Sequence, residues 1–339
     1  MSRRSRRSKR KLNSLFMMIL LTGMLLLSST YAWFSANKEV ALEGINAKVV
    51  AAEGLQISLD GESWSSKITI NKNALQDATA NNYVWPDALV PVSTVGTLSG
   101  GNMNMYYGDV SADGSYLTNP TDETTDSTKY IVFDLYFKNS SSRTAGDTLQ
   151  LNAGSKVAIA SDGQANTGLE NSVRSAVVLY SNAVPMTSSG TDVRGITAGT
   201  PKVSIWEPNN DKHIAEIVAN DSRITGATQA WTTLGLNSIT TTHDDADNLD
   251  KIAGVNGDTA AGNISEQKTI GTPATVATAT DMSVLGSSTD FLTLQQNKIM
   301  KARIYIWLEG QDPDCIDTAS TGKSIDFVIG FTKPAVDKP

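Results

Sequence analysis

A single cysteine, Cys315, excludes any disulfide within the chain, so the fold rests on burial and backbone pairing alone. Only two histidines occur, His213 and His243, and no H-E-x-x-H accompanies them, which removes the helix-borne zinc peptidase site. G-x-S-x-G, a Gly-rich phosphate loop and a dinucleotide fingerprint are all missing, and Gly100-Gly101 reads as a turn. No catalytic set emerges, and the chain is read as a non-enzyme. Charged residues are scarce at 19%, while Gly, Ser, Thr, Asn and Asp abound, the composition of short strands joined by many turns.

What is present begins at the N-terminus. Arg3, Arg4, Arg6, Arg7, Lys9, Arg10 and Lys11 precede the apolar run Leu15–Leu27, and no acid appears before Glu39. A basic tract, an apolar core and a small-residue segment in that order form a secretory signal peptide, with the basic end held on the cytoplasmic side. The expected division is a signal peptide over 1–32 (basic region 1–14, apolar core 15–27) and a mature chain over 33–339. Thr30-Tyr31-Ala32 supplies the small-x-small cleavage pattern, making Trp33 the first mature residue. Two other readings stay open. Leu15–Phe34 is just long enough to remain as a membrane anchor, and the arginine pairs allow a twin-arginine route, although Ser and Lys follow them where that route shows apolar residues.

The whole chain carries a formal charge of −7, and removing the seven N-terminal cations takes it to −14. Nucleic acid is therefore not an expected partner, and membrane contact is expected only through the N-terminal segment before cleavage.

Thr30-Tyr31-Ala32-Trp33-Phe34-Ser35 directly after a Leu-rich core resembles the alternate signal peptides of TasA- and camelysin-type exported proteins of Gram-positive bacteria. Ile304–Gly310, then Asp312, Asp314 and Cys315, then Ile325–Phe331 resemble the closing strands of related exported proteins from gut Firmicutes. The resemblance implies a dedicated signal peptidase (SipW), a jelly-roll β-sandwich and assembly into extracellular fibres, with a place in the cell surface or biofilm matrix. Camelysin-type proteins are also classed as metallopeptidases, and the chain offers that chemistry no motif.

Residue patterning predicts the same class independently: an all-β, antiparallel sandwich in one domain. Ile45, Ala47 and Val49 alternate with polar residues, Leu55, Ile57 and Leu59 resume the pattern after Glu53-Gly54, and the two read as a hairpin. Asp60-Gly61 is a turn before a strand over Trp64–Ile70. Tyr130–Lys138 is the clearest strand, predicted to be central, with Ile131, Phe133, Leu135 and Phe137 on one face and Asp134 and Lys138 on the other. Further strands are expected at 148–151, 156–160, 173–180 and 202–206. Two closing strands, 301–309 and 323–332, bury Ala302, Ile304, Ile306 and Leu308, and Ile325, Phe327, Ile329 and Phe331. Loop-rich insertions are expected at about 71–128 and 207–289.

Candidate sites are few. His243 with Asp244, Asp245 and Asp247 reads as a solvated acidic loop or a metal cluster, and Asp244–Asp250 or Asp312, Asp314 and Asp317 supply oxygens suited to calcium without the spacing of a calcium loop. No cofactor is otherwise expected. Cys315 sits among carboxylates that disfavour its thiolate, and both histidines lie far away in sequence, so a buried structural cysteine is the reading. Asn139-Ser140-Ser141 and Asn263-Ile264-Ser265 match the glycosylation sequon, as coincidence in a bacterial product. The positive expectation is assembly: Trp33, Phe34, Val40 and Leu42 lead a segment, 33–50, that adds as a strand to the next copy of the chain and builds a head-to-tail polymer. Against it stands the reading in which Val40–Val50 pairs within its own subunit. A monomeric membrane-anchored adhesin or ligand-binding module using the two insertions is the alternative.

Overall fold

The computed structural model describes residues 44–51, 54–110, 117–123, 128–140, 144–151, 154–209, 212–220, 226–227, 292–310, 312, 314–316, 319, 322 and 324–333. The signal segment lies outside these residues, as do Thr30, Tyr31, Ala32, Trp33, Phe34, Val40 and Leu42. Among the described residues, no helix is long and apolar enough to cross a membrane.

The described chain is mostly β-sheet, in three sheets. Strands β1 (Gly44–Ala51), β2 (Leu55–Ser58) and β3 (Lys67–Ile70) come first, then helix α1 (Lys72–Asp77). Next are β4 (Ser93–Ser99), β5 (Asn102–Val110), β6 (Leu117–Asp122), β7 (Ile131–Asn139), β8 (Asp147–Leu151) and β9 (Lys156–Ile159). Helix α2 (Leu169–Ser172) leads into β10 (Val173–Pro185), followed by α3 (Gly190–Arg194), β11 (Lys202–Trp206) and α4 (Ala215–Asn220). The chain closes with β12 (Leu292–Leu294), β13 (Lys298–Leu308) and β14 (Ser324–Thr332). A six-stranded sheet has the order β12-β8-β14-β1-β3 with β9 also on β14, a five-stranded sheet runs β11-β10-β13-β7-β2, and β4-β5-β6 form a third.

The first core lies between the six- and five-stranded sheets, where the alternating apolar residues of the sequence meet. Phe133, Phe137 and Ile304 face Ile325, Phe327 and Phe331, all at most 1% exposed. Phe137 meets Phe331 edge-on at 5.1 Å, and Trp206 meets Phe327 at 6.0 Å, so aromatic pairs join the two sheets.

The second face of the five-stranded sheet is not solvated. Val132, Tyr136, Ala176, Val178, Tyr305 and Trp307 form a second core with residues of β5 and α3, including Met103, Met105 and Val193. The sheet is the middle layer of three, so the face of β7 that carries Asp134 is buried as well. Asp134 is fully buried, with Lys301 Nζ at 2.7 Å, Arg303 Nε at 3.1 Å and Asn82 Nδ2 at 3.1 Å. Period-two alternation separates the two faces of a strand but cannot say what covers the second one.

Two further expectations change. β1 and β2 are not a hairpin: β1 pairs antiparallel with β3 and parallel with β14, whereas β2 pairs with β7 in the other sheet. Alternation reports which side of a strand is buried, not which strand lies beside it. The parallel β1–β14 pair also departs from a wholly antiparallel architecture. β7 is interior, between β13 and the edge strand β2, and β13 holds the centre of its sheet. The expected strands at 202–206 and 173–180 are present, the latter preceded by α2 and prolonged to Pro185. Within 71–128, β4, β5 and β6 form the antiparallel third sheet.

Tyr136 is buried in the second core, and its hydroxyl has no hydrogen-bond partner among the described residues. Burial, then the Asp134 charge, pushes its ionisation far above the ordinary tyrosine range. An unpaired buried hydroxyl costs about 1–3 kcal/mol. Tyr136→Phe is therefore expected to leave stability unchanged or raise it by about 1 kcal/mol in urea unfolding, where replacing a hydrogen-bonded tyrosine would lower it.

Candidate functional site

At one end of the middle sheet the start of β10 and the ends of β11 and β13 come together, because Val173 pairs with Leu308 and Ser175 with Trp206. Each of these strand ends carries a charge. Arg174 is fully buried, and its Nη2 donates to both Glu207 and Asp312. Its Nη1 donates to the carbonyls of Asn171 at 2.8 Å and Val173 at 3.1 Å. Burial works against the guanidinium charge, but Glu207, Asp312 and Glu309 outweigh it and raise its pKa. Glu309 accepts from the Ser93 hydroxyl and from Trp307 Nε1 at 3.2 Å, which ties the end of β13 to the third sheet.

The loop after β13 winds round this cluster. Asp312 Oδ1 accepts the Asp314 N–H at 2.8 Å, and Cys315 N–H donates to the Asp312 carbonyl at 3.0 Å. Asp314 in turn holds the segment before α4: its Oδ1 accepts the Ile214 N–H at 2.9 Å, and its Oδ2 lies 2.6 Å from His213 Nδ1. Gly168, at φ +87°, starts α2 directly under this loop, and a Cβ there would collide with the Asp314 carbonyl. Burial, then the nearby Asp312 charge, raises the Asp314 pKa to about 6.

The cluster is a buried ionic clasp. It fastens the insertion after β11 to the loop between β13 and β14, and most of its polar atoms are bonded to one another. Asp312 and Asp314, named as calcium candidates, direct their oxygens at Arg174, His213 and backbone N–H groups. Among the described residues no group of three or more His, Cys, Asp or Glu is placed to hold a metal ion. Asp317, His243, Asp244, Asp245, Asp247 and Asp250 lie outside the described residues. Cys315 is 2% exposed, and burial first, then Asp312 and Glu309, drives its thiol far above the ordinary range, as expected of a structural cysteine.

Sequence distance misled in one respect. His213 is not remote from Cys315; it contacts the residue next to it in the chain. Arg174 and Glu207 were not singled out either. The legible signal was that two strong strands end in Ile205-Trp206-Glu207 and Trp307-Leu308-Glu309, acids placed where a core strand leaves its sheet. Of the two sequons, Asn263 lies outside the described residues, and Asn139 is 1% exposed with its amide bonded to the carbonyls of Leu294 and Gln295. Asn139 is therefore no glycan acceptor in the folded chain.

The assembly segment divides at Gly44. Gly44–Ala51 is β1, held in the sheet of its own subunit, so this part of 33–50 follows the within-subunit reading. The edge beside it is short. Lys67 turns its N–H and C=O outward, where the Ser65 hydroxyl occupies both at 3.1 and 2.8 Å, and Ser65 itself bridges to Ile57 of β2. Comparison with protein-family models, curated proteins and solved structures finds no match in any of the three.

Two outcomes test the clasp. Arg174→Met strands Glu207 and Asp312 in the interior and is expected to cost about 3–5 kcal/mol in denaturant unfolding. Asp314, with its pKa raised from about 4 to about 6, keeps a proton when folded that the unfolded chain releases, so its contribution to stability falls as pH rises from about 4 to 6. The stability difference between wild type and Asp314→Asn should therefore shift against wild type by on the order of 2 kcal/mol between pH 4 and pH 7. A pH-independent difference contradicts this assignment.

Proposed function

We propose that this chain is a secreted structural protein of the cell surface or extracellular matrix, with a jelly-roll-like body, that self-assembles head to tail into fibres by strand addition of its mature N-terminal segment. The signal peptidase that releases Trp33 and further copies of the chain are its partners in this reading. The resemblance of Thr30–Ser35 to TasA- and camelysin-type signals supports export, and the all-β body supports a scaffold role.

The observation that carries the reading is the reach of β1. It spans eight residues against β14, but β3 covers only Ala47–Val50 of its other side. Residues 47, 49 and 51 direct their backbone groups toward β3 and Ser66, so Ile45 directs its own to the same side, beyond the end of β3. A strand from another copy can pair there and is fixed in register by its alternating side chains. The donor is then 33–42, with Trp33, Phe34, Val40 and Leu42 as register residues, and not the whole of 33–50.

Deleting residues 33–42 after the cleavage point is expected to abolish filaments in negative stain while changing the melting temperature by less than about 4 °C, the equivalent of roughly 1–2 kcal/mol for a chain of this size. Filaments of unchanged morphology from the deleted protein would sink the proposal.

A further inference from the structure

β11 and β12 are edge strands of the two sheets that enclose the main core, and a cavity of about 230 Å³ opens between them. It lies at the opposite end of the middle sheet from the ionic clasp. Its floor is Leu179 and Met300, both members of the main core, so this opening reaches the apolar space between the sheets. Its lip is polar. Lys202 pairs in register with Leu179, which puts its side chain on the same inward-facing side as Leu179 and, two and four residues on, Ser204 and Trp206. An exposed ammonium therefore stands at the mouth of an apolar recess, and no carboxylate among the described residues pairs with it.

The rim is built rather than incidental. β10 carries an irregularity between Leu179 and Ala183, the kind of bulge that re-aims side chains beside a site. The Ser181 hydroxyl accepts the Thr200 N–H at 2.7 Å, its carbonyl accepts Gln295 Nε2 at 2.9 Å, and Gln295 N–H donates to the Met300 sulfur at 3.1 Å. These bonds hold the wall from β10 to β13 in one arrangement and fix the thioether on the floor.

We propose that this opening binds a small amphiphilic monocarboxylate, with its carboxylate on Lys202 and its alkyl chain on Leu179 and Met300. A cavity of about 230 Å³ lies below the range of drug-sized ligand sites, which suits a small ligand with a short alkyl chain. One lysine supplies a point charge and no planar fork, so a singly charged head group fits better than one needing bidentate recognition. The site is independent of the fibre reading: it uses neither β1 nor the residues before it.

Inward-pointing charge on an edge strand also deters edge-to-edge association, and that role makes a different prediction. The test uses the full chain labelled with ¹³C at the methionine methyls, with the Met300 signal assigned through Met300→Leu, and hexanoate as the probe. Hexanoate is expected to shift the Met300 methyl saturably, hexanol at the same concentration much less. Lys202→Gln should weaken hexanoate about fivefold, the scale of an exposed ion pair, and Thr293→Trp, which plugs the mouth from an exposed position, should abolish the shift with the melting temperature unchanged. An unmoved Met300 signal, equal shifts from hexanoate and hexanol, or binding unaffected by both variants would overturn the proposal. Association of Lys202→Gln into oligomers without any hexanoate response would assign Lys202 to edge protection instead.

Discussion

The rest of the structure depends on burying the middle sheet on both faces. A sheet covered on one side can shed its charges to the other, but β7, β10 and β13 are covered on both faces along most of their length, so the charges on those parts must find partners inside. Asp134 does so with Lys301 and Arg303, and Arg174 with Glu207 and Asp312. Replacing such pairs with apolar residues is often neutral, whereas removing one partner is costly, so their worth lies in specifying one arrangement of strands. A strand shifted by one residue would carry each of these charges to the opposite face, into the first core and away from its partners.

The same constraint explains the placement of the polar loops. Two strands end in Trp followed closely by Glu, and a third carries Arg174 as its second residue, so the middle sheet stops where its charges can neutralise one another. The loop from Glu309 to Cys315 and the segment carrying His213 are then gathered by what is left of that network, Asp312 and Asp314. Among the described residues the far end has no such clasp; there the inter-sheet space opens at Lys202, and the bulge in β10 shapes its wall.

Much of this was legible in the sequence. β7, β13 and β14 could be read within a few residues, because their alternation of side chains runs over nine or more positions, and Gly61 at φ +72° sits in the turn that Asp60-Gly61 predicted. What could not be read is pairing between strands distant in the chain. Nothing in Gly44–Ala51 says that its neighbour is Ser324–Thr332 or that the two run parallel, and the break at Glu53-Gly54 looks the same whether the chain turns back on its own sheet or crosses to the facing one. The burial of Arg174 and Asp134 could not be read for the same reason: the third layer that covers them comes from a stretch whose own pattern is weak. Burial of a charge is a property of its partners, and those lie more than 100 residues away for Asp312 and Arg303.

Division of the N-terminal segment at Gly44 requires that β1 belong to the subunit that carries it. Lys48 and Thr69 form a non-hydrogen-bonded antiparallel pair, whose Cα atoms lie about 4.5 Å apart, within reach of a disulfide. Lys48→Cys with Thr69→Cys, oxidised after assembly in the native host and run on a non-reducing denaturing gel, measures this directly, since Cys315 is buried. A single monomeric band that needs both cysteines is the predicted result. A ladder of covalent oligomers would show that β1 is exchanged between subunits and would contradict the division of the N-terminal segment at Gly44.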